Sequence, residues 1–131
     1  MKHLLFLLMT IAIGWAAPIQ AEQINARSIY VIDGDTIDIN GERYRLVGFD
    51  TPETYRPQCG YEKALGNQAT TRVKQLINST AVVELFVQPG RDRYGRGLAR
   101  LFVGGQDVGT ILIQEGLARP YNGGRRASWC R

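Results

Sequence analysis

Short strand-like runs punctuated by turn residues, with one long helical stretch among them, predict a mainly β domain with helices, of the α+β class. Three observations carry that prediction. Residues 28–39, 43–49, 81–87 and 98–103 are rich in Ile, Val, Leu and aromatic side chains. Pairs such as Asn40-Gly41, Pro89-Gly90 and Gly104-Gly105 close these runs. Residues 61–77 alone carry sustained helical spacing.

Taken in order, Ser28 to Ile39 reads as one long strand, interrupted or bent by the turn or bulge Asp33-Gly34-Asp35. Asn40-Gly41 is the favoured pair for a tight hairpin turn, so Arg43 to Phe49 is the return strand. That pairing would lay Arg45 beside the Asp33–Asp35 segment. A polar loop then runs to Cys59. In residues 61–77, Leu65, Ala69, Val73 and Leu76/Ile77 form one apolar stripe, and Asn78-Ser79 ends the helix. Ala81 to Val87 alternates as a strand, Pro89-Gly90 turns the chain, and Leu98 to Val103 runs back. Val108, Ile111 and Leu112 mark a second, short helix stopping at Gly116, and the tail from Asn122 lacks apolar periodicity and reads as extended. Five short strands with one inserted and one C-terminal helix fit a small closed barrel of the oligonucleotide-binding (OB) type.

The chain opens Met1-Lys2-His3 and then runs almost without polarity from Leu4 to Ala17, with Pro18 and Ala21 following. This is the pattern of a secretory signal peptide, read as residues 1–21, with one domain over 22–131. The expected location is secreted or periplasmic, with no stable membrane association after cleavage. Losing Lys2 lowers the formal charge only from +4 to +3, since no acid leaves with it. The remaining excess is carried mainly by arginine, which favours planar, bidentate contact with phosphate. The single histidine, His3, lies in the leader. The domain therefore has no imidazole base, no Ser-His-Asp triad and no His-ligated zinc. Cys59 and Cys130 form an even pair, read as one disulfide closing a loop of about 71 residues.

Asp33, Asp35, Asp50 and Glu53 crowd around Arg45 within residues 33–53. Carboxylates that close repel one another and favour a cation, and an arginine among them suits a bound anion. A hard cation beside an anion clamp is the chemistry of phosphate ester hydrolysis. Asp92-Arg93-Tyr94-Gly95-Arg96-Gly97 offers two more guanidinium groups and an aromatic ring.

Four motifs occur in order: Asp33-Gly34-Asp35-Thr36, Arg45 through Asp50-Thr51-Pro52-Glu53-Thr54, Asp92 through Ala99, and Glu115-Gly116-Leu117-Ala118. Together they resemble the staphylococcal nuclease (thermonuclease) family over about residues 28–121. The resemblance implies a Ca2+-dependent phosphodiesterase cutting DNA and RNA with little sequence preference. By position, Asp35, Asp50 and the Thr51 carbonyl would be the calcium ligands. Glu53 would be the general base, and Arg45 and Arg96 the clamp on the scissile phosphate. Arg93 and Tyr94 would hold a neighbouring phosphate, and Tyr121 falls within about one residue of a base-contacting tyrosine. Asp33, before a glycine, reads as a turn residue. Relative to the family's best-known member the first hairpin is shorter, and a Cys59–Cys130 bridge would pin the tail where that member has a third helix. Two other readings are a non-catalytic oligonucleotide-binding OB module and a small exported adaptor; the complete carboxylate–arginine set argues against both. A monomer is the expected state.

Overall fold

The computed structural model describes residues 11–14 and 21–131; residues 11–14 are exposed and without regular structure. The expected leader, residues 1–21, falls almost wholly outside the described residues. Among them, no helix is long and apolar enough to cross a membrane.

Among the described residues, nine strand segments and two α-helices build the domain. Strand β1 is Glu22–Asn25, followed by a single 3-10 turn at Ala26–Ser28. Strands β2 (Ile29–Asp33), β3 (Thr36–Ile39) and β4 (Glu42–Leu46) form an antiparallel meander. After β5 (Gly48–Asp50) comes helix α1 (Gly60–Asn78). The chain continues through β6 (Val82–Arg91), β7 (Gly97–Val103), β8 (Gln106–Asp107), helix α2 (Val108–Gln114) and β9 (Arg119–Tyr121). The main sheet runs β1-β6-β7-β4-β3-β2, with β8 on the edge of β7 and with β4 and β7 parallel. It curls as a half-barrel in the manner of an OB fold rather than closing through an unbroken ladder, while β5 and β9 pair separately.

The local reasons are mostly visible in the residues. Asn40 (φ 49°) and Gly41 (φ 85°) give the doubly left-handed turn that matches strand twist. In α1, Ala69, Val73, Leu76 and Ile77 are buried at helical spacing. Val73, Leu76 and Ile77 meet Val31, Ile37, Leu46, Leu85, Leu101 and Leu112 in one core. Cys59 caps the helix, and the buried Glu62 reaches back to the Gln58 amide at 2.7 Å.

Three expectations change. Of the turn or bulge expected at Asp33-Gly34-Asp35 the turn is found, but it separates two strands instead of bending one: β2 and β3 pair with each other, so Gly34-Asp35 is a hairpin turn. Pro89-Gly90 does not reverse the chain. Proline cannot donate to a ladder and Gly90 takes φ 84°, so the pair forms a register shift inside β6. The reversal sits at Asp92–Arg96, where the Asp92 carboxylate accepts from the amides of Tyr94 and Arg96, both at 2.9 Å. The expected return strand 43–49 also breaks at Gly48 (φ 93°), sending β5 out of the sheet to meet β9.

Candidate active site

Strand register assembles the site. Thr36 on β3 stands opposite Arg45 on β4, and Arg45 is level with Leu98 on β7. Because β5 leaves the sheet, Asp50 and Thr51 fold back onto the Gly34 turn. A Cβ on Gly34 would lie 2.6 Å from Thr51 Cγ2, so only glycine allows this approach. The result is a direct tie: the Thr51 amide donates to Asp35 Oδ2 at 3.1 Å. The other Asp35 oxygen accepts from the Thr36 hydroxyl at 3.2 Å.

Arg45 lies between the two aspartates. Its Nη1 is 3.3 Å from Asp35 Oδ2 and its Nη2 is 3.6 Å from Asp50 Oδ1. The guanidinium also donates to the carbonyls of Leu46 and Phe49, and its side chain is only 14% exposed. Glu53 follows on the loop that α1 covers. A Cβ at Gly66 would come within 2.7 Å of the Pro52 carbonyl, so this glycine lets the helix seat against the backbone carrying Glu53.

The second half comes from the β6–β7 turn. Arg96 Nε pairs with Asp92 Oδ2 at 2.6 Å, and its Nη1 reaches the Thr36 hydroxyl at 3.4 Å. Arg96 therefore lies one residue from Asp35. Arg93 donates to the Tyr94 hydroxyl at 2.6 Å, and Arg93 and Arg96 lie 4.8 and 5.4 Å from the centre of the exposed Tyr94 ring. An open groove of about 1020 Å³ joins these groups; Arg45, Arg93, Tyr94, Arg96, Tyr121 and Arg126 are among its lining. Tyr121 donates its hydroxyl to the Gly124 carbonyl at 2.6 Å, leaving its ring as the groove-lining part.

One residue of this constellation was not expected. Arg126 Nη2 is 2.6 Å from Asp50 Oδ1 and donates to the Thr51 carbonyl at 3.3 Å, while Nη1 donates to Glu53 Oε1 at 2.5 Å. The sequence signal was only a late cluster of arginines, and a contact spanning 73 residues has no local pattern. Arg100 and Arg125 also line the groove. The expected Cys59–Cys130 disulfide is present and holds the end of this tail.

The electrostatics follow from burial. Asp33 is pushed up to about 7, first by loss of solvation, then by the neighbouring charge of Asp35. Burial also raises Asp50, against the opposing pull of Arg126 and Arg45. Asp92 is partly desolvated, yet the hydrogen bonds it accepts from Arg96 and Tyr94 hold it below the usual carboxylate range.

The donors suit a hard cation. Among the described residues no three His, Cys, Asp or Glu side chains form a metal-ligand cluster. What is present is two carboxylates and a carbonyl, an all-oxygen set that leaves room for waters. Asp50 Oδ1 is buried and has guanidinium nitrogens near it, but receives no directed hydrogen bond. A buried carboxylate oxygen that guanidinium groups meet as ion pairs is one that a divalent cation could also satisfy.

Residues 43–128 match the family described as Staphylococcal nuclease homologue. Endonuclease YncB of Bacillus subtilis (strain 168) is 41% identical over 107 residues, covering 76% of this chain and 49% of the relative. A thermonuclease of Staphylococcus intermedius is 43% identical over 96 residues, covering 68% of this chain and 55% of the relative. The SPbeta prophage-derived endonuclease YokF of Bacillus subtilis (strain 168) is 40% identical over 93 residues, with 67% and 31% covered. The chain thus spans about half the length, or less, of these curated relatives. With the family match covering well over half of its residues, this chain belongs to the staphylococcal nuclease homologue family.

Proposed function

We propose that this chain is a calcium-dependent nuclease that hydrolyses phosphodiester bonds of DNA and RNA with little sequence preference. It would act as an exported monomer in a secreted or periplasmic setting; the Cys59–Cys130 bond is in keeping with an oxidising compartment. The observation that supports the activity most is the meeting of Asp35, Asp50 and the Thr51 backbone around Arg45, which itself lines a groove rich in arginine and tyrosine.

Asp35, Asp50 and the Thr51 carbonyl would hold the calcium ion, with waters completing its shell. The ion would supply positive charge that polarises a phosphoryl oxygen. Arg45 approaches from β4 and Arg96 from the β6–β7 turn, so they can meet charge on two sides of one phosphate as it accumulates in the transition state. With no imidazole in residues 22–131, a carboxylate is the natural base. Glu53 would take a proton from the attacking water as its oxygen bonds to phosphorus and the bond to the leaving oxygen breaks. Arg93, Tyr94 and Tyr121 would hold flanking parts of the strand by charge and ring contact.

Digestion of single-stranded DNA and of RNA, with calcium and with chelator, tests this reading. Cleavage in calcium only, reduced by about two to four orders of magnitude in Glu53→Gln, is expected. Binding without cleavage by the wild-type chain would instead favour a non-catalytic oligonucleotide-binding module. Full activity in the Glu53→Gln variant would remove Glu53 from the role of base and leave the nuclease reading standing.

A further inference from the structure

Arg126 makes contact with two roles at once. Its guanidinium reaches Asp50 Oδ1 and the Thr51 carbonyl, two of the three groups assigned to the cation, and also Glu53 Oε1, the group assigned to the water. A cation bound by Asp50 and the Thr51 carbonyl needs those oxygens at about 2.3–2.6 Å. A guanidinium nitrogen 2.6 Å from Asp50 Oδ1 lies in the same space. An ion and a guanidinium sharing that oxygen would exclude each other there.

The chain around Arg126 is built to present it without locking it. Residues 122–128 are exposed and irregular, and Gly123 and Gly124 both take positive φ, at 99° and 82°. On either side the backbone is tied down. Tyr121 ends the β5–β9 pairing, Trp129 is buried with the Arg119 guanidinium 3.7 Å from its ring, and Cys130 is bonded to Cys59. The tether keeps Arg126 at high effective concentration over the carboxylates. Yet its side chain remains 39% exposed and borders the groove it would move into.

We propose that Arg126 is a built-in competitor for the divalent-cation site, covering Asp50, the Thr51 carbonyl and Glu53 until the ion displaces it, and so setting the affinity for that ion. The inference rests on the metal-dependent reading above. If the uncovered state makes up about a tenth of the population, the apparent calcium affinity is about tenfold below the intrinsic one. Removing the competitor recovers that factor, and the loss of its positive charge acts in the same direction.

Calcium titration calorimetry on the full chain without nucleic acid tests this, comparing wild type with Arg126→Gln and Arg126→Lys. Arg126→Gln is expected to bind calcium about tenfold more tightly, with Arg126→Lys between the two because a point charge replaces a fork of donors. Thermal melting in chelator and in calcium gives an independent readout: the calcium-induced rise in Tm should be larger for Arg126→Gln than for wild type. Equal or weaker calcium binding by Arg126→Gln, with wild type binding normally, overturns the competition and leaves the nuclease reading intact. Should Arg126→Gln fail to fold, Arg126→Lys binding no more tightly than wild type overturns it equally. Calcium binding by none of the three chains overturns both readings together.

Discussion

Two arginines face the same oxygen of Asp50, one from a strand and one from the tail. Arg45 stands 3.6 Å away on β4, only 14% exposed, and also donates to the carbonyls of Leu46 and Phe49. Arg126 stands 2.6 Å away, 39% exposed, on an irregular segment. The nearer guanidinium is the more exposed one. Distance to a carboxylate therefore says little about permanence here. What distinguishes the two is the backbone behind each: a β-ladder on both sides of Arg45, and a glycine pair with a remote disulfide around Arg126.

The sharpest way to break that contrast is Arg45→Ala. It would leave Asp35 and Asp50 buried beside each other without their strand-borne partner. Such a loss costs about 3 kcal/mol, and removal of a transition-state donor lowers the rate by about 10²–10³-fold. Urea unfolding and DNA cleavage rates measure the two losses; a stable, active Arg45→Ala chain would mean that the strand arginine is as dispensable as the tail one.

Next in size is the tether. Opening Cys59–Cys130 with reductant, or replacing both by serine, should lower stability by up to about 4 kcal/mol on the chain-entropy account. Unchanged Tm on reduction would show that the tail is held by Trp129 and β9 alone.

A pH effect is smaller and tests the strand side of the site. Asp33 sits at about 7 when folded and near its ordinary 3.8 when unfolded. Between those values the folded chain keeps a proton that the unfolded chain has released. Stability of the metal-free protein should thus fall as pH rises from about 4 to about 7 and level off above. Urea midpoints at pH 5.5 and 7.5 measure it, and the absence of any His in residues 22–131 means no imidazole obscures the window. Asp33→Asn should reduce the slope, leaving the contribution of Asp50, whose carboxyl burial also raises.

The smallest stability effect belongs to Arg126→Gln. A partly exposed, salt-screened ion pair contributes less than about 1 kcal/mol, so the metal-free Tm should barely move while calcium binding changes. A large drop in Tm would place Arg126 with Arg45 as a fixed part of the site.

Much of this was legible in the residues because it is local. Asn40-Gly41 dictates its own turn, and the apolar stripe over 61–77 marks a helix that spans Gly60–Asn78. The ordered motifs from Asp33 to Arg96 named the strand-borne groups that the β2–β3–β4 meander gathers. Where the expectation slipped, two structures competed for one signal. Pro89-Gly90 can turn a chain or bulge a strand, and only the pairing of β6 with β7 chooses the bulge. Gly34 can bend a strand or close a hairpin, and the fit of its bare backbone against Thr51 belongs to the hairpin.

Local chemistry alone therefore determined the Asn40-Gly41 turn, the helices, the absence of imidazole from residues 22–131 and the carboxylate–arginine character of the centre. These depend on side-chain identity and near-neighbour backbone preference, which a chain carries wherever it folds. The tertiary structure alone decided that β5 leaves the sheet to pair with β9, and that Arg126 comes back across 73 residues to Glu53. Contacts at that separation arise from how surfaces pack and where a tether ends, and no spacing rule along the chain encodes them.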